Sequence, residues 1–292
     1  MSEEVRFSYL RPQQLRKRRD ECPIAYIPLG NLEWHGFHNP FGTDSLIAEH
    51  LAIQCARIGG GISMPPLHWG DNRLNGIVDA FIDECEEIAA AMGCDPDSNT
   101  IARWNRDEQE QDKLFHDLLL HILNQTENYG FRAAVFVCGH YPHLRRAANA
   151  AEEYNRGTEK TGKMLAWAVT EGKILAGRYP LSGGHSSGWE TSYLLASNPE
   201  SVDLSVLPPE GSALLGVFGK TPPHVADGEN GKQLYREAAE AITEAARKLL
   251  YDLSMDEISV SESYYEELRN MDDVEILSEP FELEFDEKGN MV

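Results

Sequence analysis

Three short apolar runs constrain this chain more than any other feature. They are "CPIAYIPLG" (22–30), "FRAAVFVCGH" (131–140) and "KMLAWAVTEG" (163–172), and each has almost no polar residue in its interior. A strand without a polar face must be covered on both sides, as in the parallel sheet of a layered α/β protein. Helical spacing follows two of them directly. "DSLIAEHLAIQCARIGG" ends in a Gly-Gly stop and offers Asp44 or Ser45 as a cap, and "PHLRRAANAAEEYNRG" has Pro142 suited to its first turn. "GISMPPLHWG" reads as another strand, broken by Pro65 and Pro66. Helices are expected in "IVDAFIDECEEIAAAMG", "DEQEQDKLFHDLLLHILNQTENYG", "SGWETSYLLASNPE" and "NGKQLYREAAEAITEAARKLLYDL". The fold class is α/β, with a mainly parallel central sheet flanked by helices. Ligands of such sheets bind in the loops beyond the carboxyl ends of the strands.

The 292 residues suffice for a large buried core, and 41% hydrophobic with 25% charged residues is a globular composition. A formal net charge of -22 repels phosphate backbones, so nucleic acid is not an expected partner. The polar start "MSEEVRFSYLRPQQLRKRRD" does not read as a signal peptide, and no apolar stretch is long enough for a membrane span. "RKRRD" reads as a solvated helix end. Cys22, Cys55, Cys85, Cys94 and Cys138 are scattered and odd in number, which argues against a disulfide framework or zinc knuckle and fits a cytoplasmic protein. Cys138 reads as a small buried apolar residue. The last forty or so residues are acidic, with short apolar runs.

Three clusters of chemical groups follow predicted strands. Glu33, His35 and Asp44 lie in "PLGNLEWHGFHNPFGTDS"; His140 and Tyr141 follow "AVFVCG"; His185 and Glu190 lie beyond "LAWAVTEG". Glu33 and His35, two residues apart in an extended segment, point the same way. Mixed imidazole and carboxylate donors suit zinc, manganese or iron. Asp44, where loop meets helix, can bridge two ions or simply cap the helix. Each group alone has an ordinary structural reading; their gathering at strand ends favours a metal centre. A Ser–His–Asp arrangement around His185 with Ser186 or Ser187 lacks the G-x-S-x-G elbow.

These motifs resemble the creatininase (creatinine amidohydrolase) family. "PLGNLEWHGFHNPFGTD" matches its opening signature at Pro28, Gly30, Glu33, His35, Gly36, His38 and Asp44. "CGHYPH" and "GHSSGWETS" match the second and third signatures in order. The acidic composition sets off an extension over 255–292. The resemblance implies a creatininase-like layered sandwich, placed over residues 1–254, and a dinuclear centre, with one or two divalent metal ions (zinc, manganese or iron) per chain. It implies that His35 and His140 hold one ion, Glu33 holds the other and Asp44 bridges them. Glu190 is a further candidate ligand. His185, with Glu190, is a candidate for proton transfer, and Tyr141, His38 and Trp34 are candidates for substrate contact. It also implies a homo-oligomer, often a hexamer in this family, acting on a small molecule.

Several departures fall on substrate-facing parts. Pro142 stands where creatininase has a glutamate ligand, so the second metal position is completed by Glu190 or water, or is empty. Cys138 replaces an asparagine, Gly184 a glutamate, and "RYPLSGG" lacks the tryptophan-bearing loop. Residues 72–106 lack the family's "P-G-T" stretch. Three readings follow: hydrolysis of a small cyclic amide, hydrolysis of a cyclic keto-polyol at a C–C bond as in 3-dehydro-scyllo-inosose hydrolase, and a non-catalytic metal-binding homologue.

Overall fold

A computed structural model of the chain describes residues 4–70, 84–94, 108–158 and 164–254. Helix α1 (Pro12–Glu21) leads into strand β1 (Ile24–Leu29), which is followed by helix α2 (Thr43–Ile58) and the two-residue strand β2 (Ile62–Ser63). Then come α3 (Cys85–Ala91), α4 (Glu108–Asn128), β3 (Ala133–Cys138), α5 (His143–Thr158), β4 (Leu165–Val169), α6 (Glu171–Leu175), α7 (Gly188–Ser197) and α8 (Gly228–Ser254). The sheet is parallel throughout, in the order β2-β1-β3-β4. β1 pairs with β3 from Ile24↔Ala133 to Leu29↔Cys138. Every residue of β1, β3 and β4 is buried, as their unbroken apolar sequences require.

α2, α7 and α8 pack on one another, and α4 packs on α5. α5 also closes the sheet edge. The Asn155 side-chain amide donates to the Ala166 carbonyl at 2.9 Å and accepts from the Ala166 N–H at 2.8 Å, so the edge of β4 is occupied at Ala166.

The chain leaves β1 toward β2 on one side and leaves β3 toward β4 on the other. The order therefore reverses between β1 and β3, and a crevice opens beyond their carboxyl ends. Two glycines bring the walls of this crevice together. A Cβ on Gly139 would sit 2.0 Å from the Asp44 carbonyl oxygen, and one on Gly30 would sit 2.3 Å from the Ser45 nitrogen. Only residues without a side chain let α2 start this close to both strands.

Several local expectations are corrected. α2 begins at Thr43 with Gly42 at the cap position, so neither Asp44 nor Ser45 caps it; Asp44 lies inside the first turn and is buried. α5 begins at His143, immediately after Pro142. "GISMPPLHWG" keeps only two strand residues because the prolines lack N–H groups. Its backbone still follows β1, through Met64 N–H to the Tyr26 carbonyl at 2.8 Å and Leu67 N–H to the Pro28 carbonyl at 3.0 Å. In "RKRRD", Arg18 is buried and donates to the carbonyls of Ala56 and Gly61, satisfying the carboxyl end of α2. All five cysteines are free, and Cys138 is buried as expected. The extension 255–292 and most of 72–106 lie outside the described residues. Among the described residues, no helix is long and apolar enough to cross a membrane.

Candidate metal centre

The loop after β1 delivers Glu33 and His35, and the first turn of α2 delivers Asp44. His140 follows β3 by two residues, while His185 and Glu190 flank the start of α7. All six are buried. Asp44 is the hub. Its Oδ1 lies 2.9 Å from His35 Nε2, and its Oδ2 lies 3.1 Å from His140 Nδ1. Glu33 Oε1 is 2.9 Å from the same His140 nitrogen. Glu190 Oε2 is 3.9 Å from His35 Nε2.

Three triplets have one donor atom per residue, all within 4.8 Å of one another: Glu33–Asp44–His140, His35–Asp44–Glu190 and Glu33–His35–His185. Metal–ligand bonds of ~2.0–2.2 Å nearly span such separations. These nitrogen and oxygen donors suit divalent ions such as zinc or manganese, which Glu33, His35, Asp44, His140 and Glu190 could hold. Two of these triplets put Glu33 with His140 and His35 with Glu190, and the third puts Glu33 with His35 and His185.

Electrostatics mark the same place. Burial alone would lower the His35 pKa, but the Asp44 carboxylate, with Glu190 and Glu33 beyond it, raises it to about 9. A proton is thus held where a cation would otherwise balance the carboxylates. Burial pushes Asp44 up, but contact with His35 and His140 brings it well below its ordinary value. Glu190 is raised to about 8, by burial first and by Asp44, against the pull of His35.

His185 has the opposite character. Burial, then the charge of His35, lower it to about 4, so it is neutral. Its Nε2 lies 2.6 Å from the Trp34 carbonyl, which can only accept. The proton is therefore on Nε2, and the bare Nδ1 faces Glu33 Oε1 at 3.7 Å.

The other candidates sit around this cluster. Tyr141 donates its hydroxyl to Glu171 Oε1 at 2.5 Å, and the same oxygen accepts from the Trp189 indole at 3.1 Å. The Trp34 indole is turned to Leu215, whose carbonyl it meets at 3.0 Å, and packs on Ile88 and Ala89. His38 donates from Nε2 to the Ser186 carbonyl at 3.1 Å; burial lowers its pKa to about 4. Ser186 Oγ donates to the His35 carbonyl, which removes it as a nucleophile, and Ser187 Oγ accepts from the Trp189 N–H at the start of α7. Glu171 and Ser186 were not singled out from sequence for any role in holding ligands. A carboxylate two residues after a buried strand was the one available signal for Glu171.

Residues 8–77 and 109–246 match the creatininase family, described as creatinine amidohydrolase. The chain belongs to the creatininase family. Membership supports a hydrolase. A curated relative, 3-dehydro-scyllo-inosose hydrolase from Thermotoga maritima, is 25% identical over 136 residues, which make up 47% of this chain and 36% of that protein. The match thus spans about a third of that relative's length. A crystal structure of creatinine amidohydrolase (creatininase) superposes with a TM-score of 0.60 over 84% of this chain and 97% of its own, at 18% identity. A mutant creatininase of Zn-Zn type gives 0.60 over 85% and 98%, and a creatininase Mn structure 0.59 over 84% and 98%, both at 19% identity. At these identities the likeness establishes the creatininase fold and nothing finer.

Proposed function

We propose that this creatininase-family chain is a metal-dependent hydrolase that opens a small cyclic amide or related cyclic substrate at a carbonyl. The supporting observation is Asp44, which offers one oxygen beside His35 and the other beside His140. Glu33, Asp44 and His140 would hold one divalent ion; His35, Asp44 and Glu190 would hold the other. Glu190 then supplies the carboxylate that Pro142 cannot. Ions held there, zinc or manganese as in the structural neighbours or iron, would lower the pKa of a water and polarise the substrate carbonyl. His185, neutral with a bare Nδ1, accepts a proton at that atom and returns it to the leaving group. Its Nε2–H bond to the Trp34 carbonyl leaves Nδ1 as the nitrogen that takes and gives up the proton. Tyr141, fixed by Glu171, orients the substrate.

The Thermotoga maritima relative favours a second reading, in which the substrate is a cyclic keto-polyol opened at a C–C bond. Both readings use the same centre, so a panel of cyclic amides and keto-inositols separates them by turnover. Elemental analysis of the purified chain is expected to find about one or two zinc, manganese or iron ions per chain. His35→Ala is expected to lose one of them together with activity. A metal-free chain whose activity is untouched by His35→Ala sinks the metal-dependent reading. An inactive chain that still binds metal at fully protein-closed sites leaves the non-catalytic homologue instead. The homo-oligomer belongs to the same reading and is checked by light scattering.

A further inference from the structure

Among the described residues, Ser186 is the one non-glycine residue with positive φ, at 54°. That backbone conformation is costly for an L side chain, and such residues persist where their surroundings demand them. Ser186 is fully buried, and each of its polar groups is used. Its N–H donates to Glu190 Oε2 at 2.5 Å. Its Oγ donates to the His35 carbonyl and accepts from Asn39 Nδ2 at 3.2 Å. Its carbonyl accepts from His38 Nε2 at 3.1 Å. Asn39 continues the link by donating to Thr191 Oγ1 at 2.9 Å, on the helix that carries Glu190.

One residue thus touches the Glu190 carboxylate through its main chain and the His35 main chain through its side chain. Those two segments are about 150 residues apart, and both carry donors of the same triplet. We propose that Ser186 is a positioning residue that joins His35 and Glu190 into a preformed half-site, so that the half built on His35, Asp44 and Glu190 binds its ion although Pro142 contributes no ligand. This role presupposes the metal centre proposed above. The left-handed backbone aims the N–H at Glu190. The hydroxyl then locks the His35 segment at the distance this geometry requires, and His38 and Asn39 hold the turn from behind. Ser186's hydrogen bonds go to Glu190, His35, His38 and Asn39, and not to the Glu33 or His140 side chains of the other half.

The test is calorimetric titration of the metal-stripped full-length chain with Mn²⁺ alone, alongside the spin-coupled signal of a manganese pair in electron paramagnetic resonance. Glu190→Gln identifies the ion that belongs to this half. Ser186→Ala removes the hydroxyl and keeps the backbone cost; Ser186→Gly removes both, so the pair separates loss of the hydroxyl from backbone strain. Both are expected to weaken the ion affected by Glu190→Gln by about 10–100-fold, to leave the other ion's binding unchanged, and to convert the coupled signal to that of an isolated ion. Ser186→Gly binding both ions like the wild type, or both ions weakening equally in either variant, overturns the positioning role while leaving the metal centre standing. A Glu190→Gln variant that loses no ion overturns it too. A wild-type chain that takes up no Mn²⁺ overturns the metal centre itself, and this role with it.

Discussion

Glu171 holds a proton that an exposed carboxyl would release. Burial raises its pKa from 4.5 to about 7, against the downward pull of the Tyr141 hydroxyl and the Trp189 indole. The folded value lies above the unfolded one, so the native state binds more protons between these limits. The stability this contributes is fully present below pH 4.5 and is lost as pH rises through 7. A shift of this size corresponds to an effect of order 3 kcal/mol. Glu171→Gln keeps the shape and cannot titrate. Urea denaturation is therefore expected to show wild-type stability falling relative to the variant across this window, and parallel curves would refute the buried protonated carboxyl. Residues of this kind were not legible in the sequence. Glu171 reads as the end of a strand, Ser186 enters only through a Ser–His–Asp arrangement that lacks its elbow, and Arg18 reads as part of a solvated basic run. What makes each of them matter is a partner far along the chain, such as Tyr141, His35 or Gly61. Glu33, His35, Asp44 and His140 stood out because each follows a recognisable strand or opens the next helix, and because their types belong together chemically.

At the scale of elements, β1, β3 and β4 were legible because they are buried on both faces, which leaves an unbroken apolar run. The long helices were legible from their periodicity. The start of α2 was not, since Asp44 looks like a cap until its two histidine partners are known. The crevice depends on close approach at Gly139, where an added Cβ meets backbone and not a movable side chain. Gly139→Ala is expected to force α2 from β3, to cost about 1–3 kcal/mol or more, and to reduce metal content by separating Asp44 from His140. Gly157, exposed within α5 with open space around its Cα, makes the contrast. Gly157→Ala is expected to stabilise by about 0.5–1 kcal/mol through helix propensity alone. Denaturation midpoints of the two variants should move in opposite directions; a destabilised Gly157→Ala or a neutral Gly139→Ala would count against this account.

For the whole molecule, the topology and the charge act together. The sheet order reverses between β1 and β3, and the donors come from three segments that are distant in sequence but meet at that reversal. Ions in the two proposed halves would together tie the first loop to the turn after β3 and to the start of α7, so their binding energy would be shared by the whole fold. Free ligand at a hundred times its Kd stabilises a native state by about 2.7 kcal/mol. Added Mn²⁺ or Zn²⁺ is accordingly expected to raise the melting temperature of the metal-stripped chain. Glu190→Gln should keep part of that gain. Asp44→Asn should keep little of it, because Asp44 faces both halves. The net charge of -22 supplies the necessary control. An acidic surface collects divalent cations loosely, and that attraction fades within a Debye length of ~8 Å at physiological salt. Measured at that ionic strength by scanning calorimetry, the gain should survive in the wild type. If Asp44→Asn gains as much as the wild type there, the ions stabilise the chain by neutralising its surface, and the crevice between β1 and β3 is not where they bind.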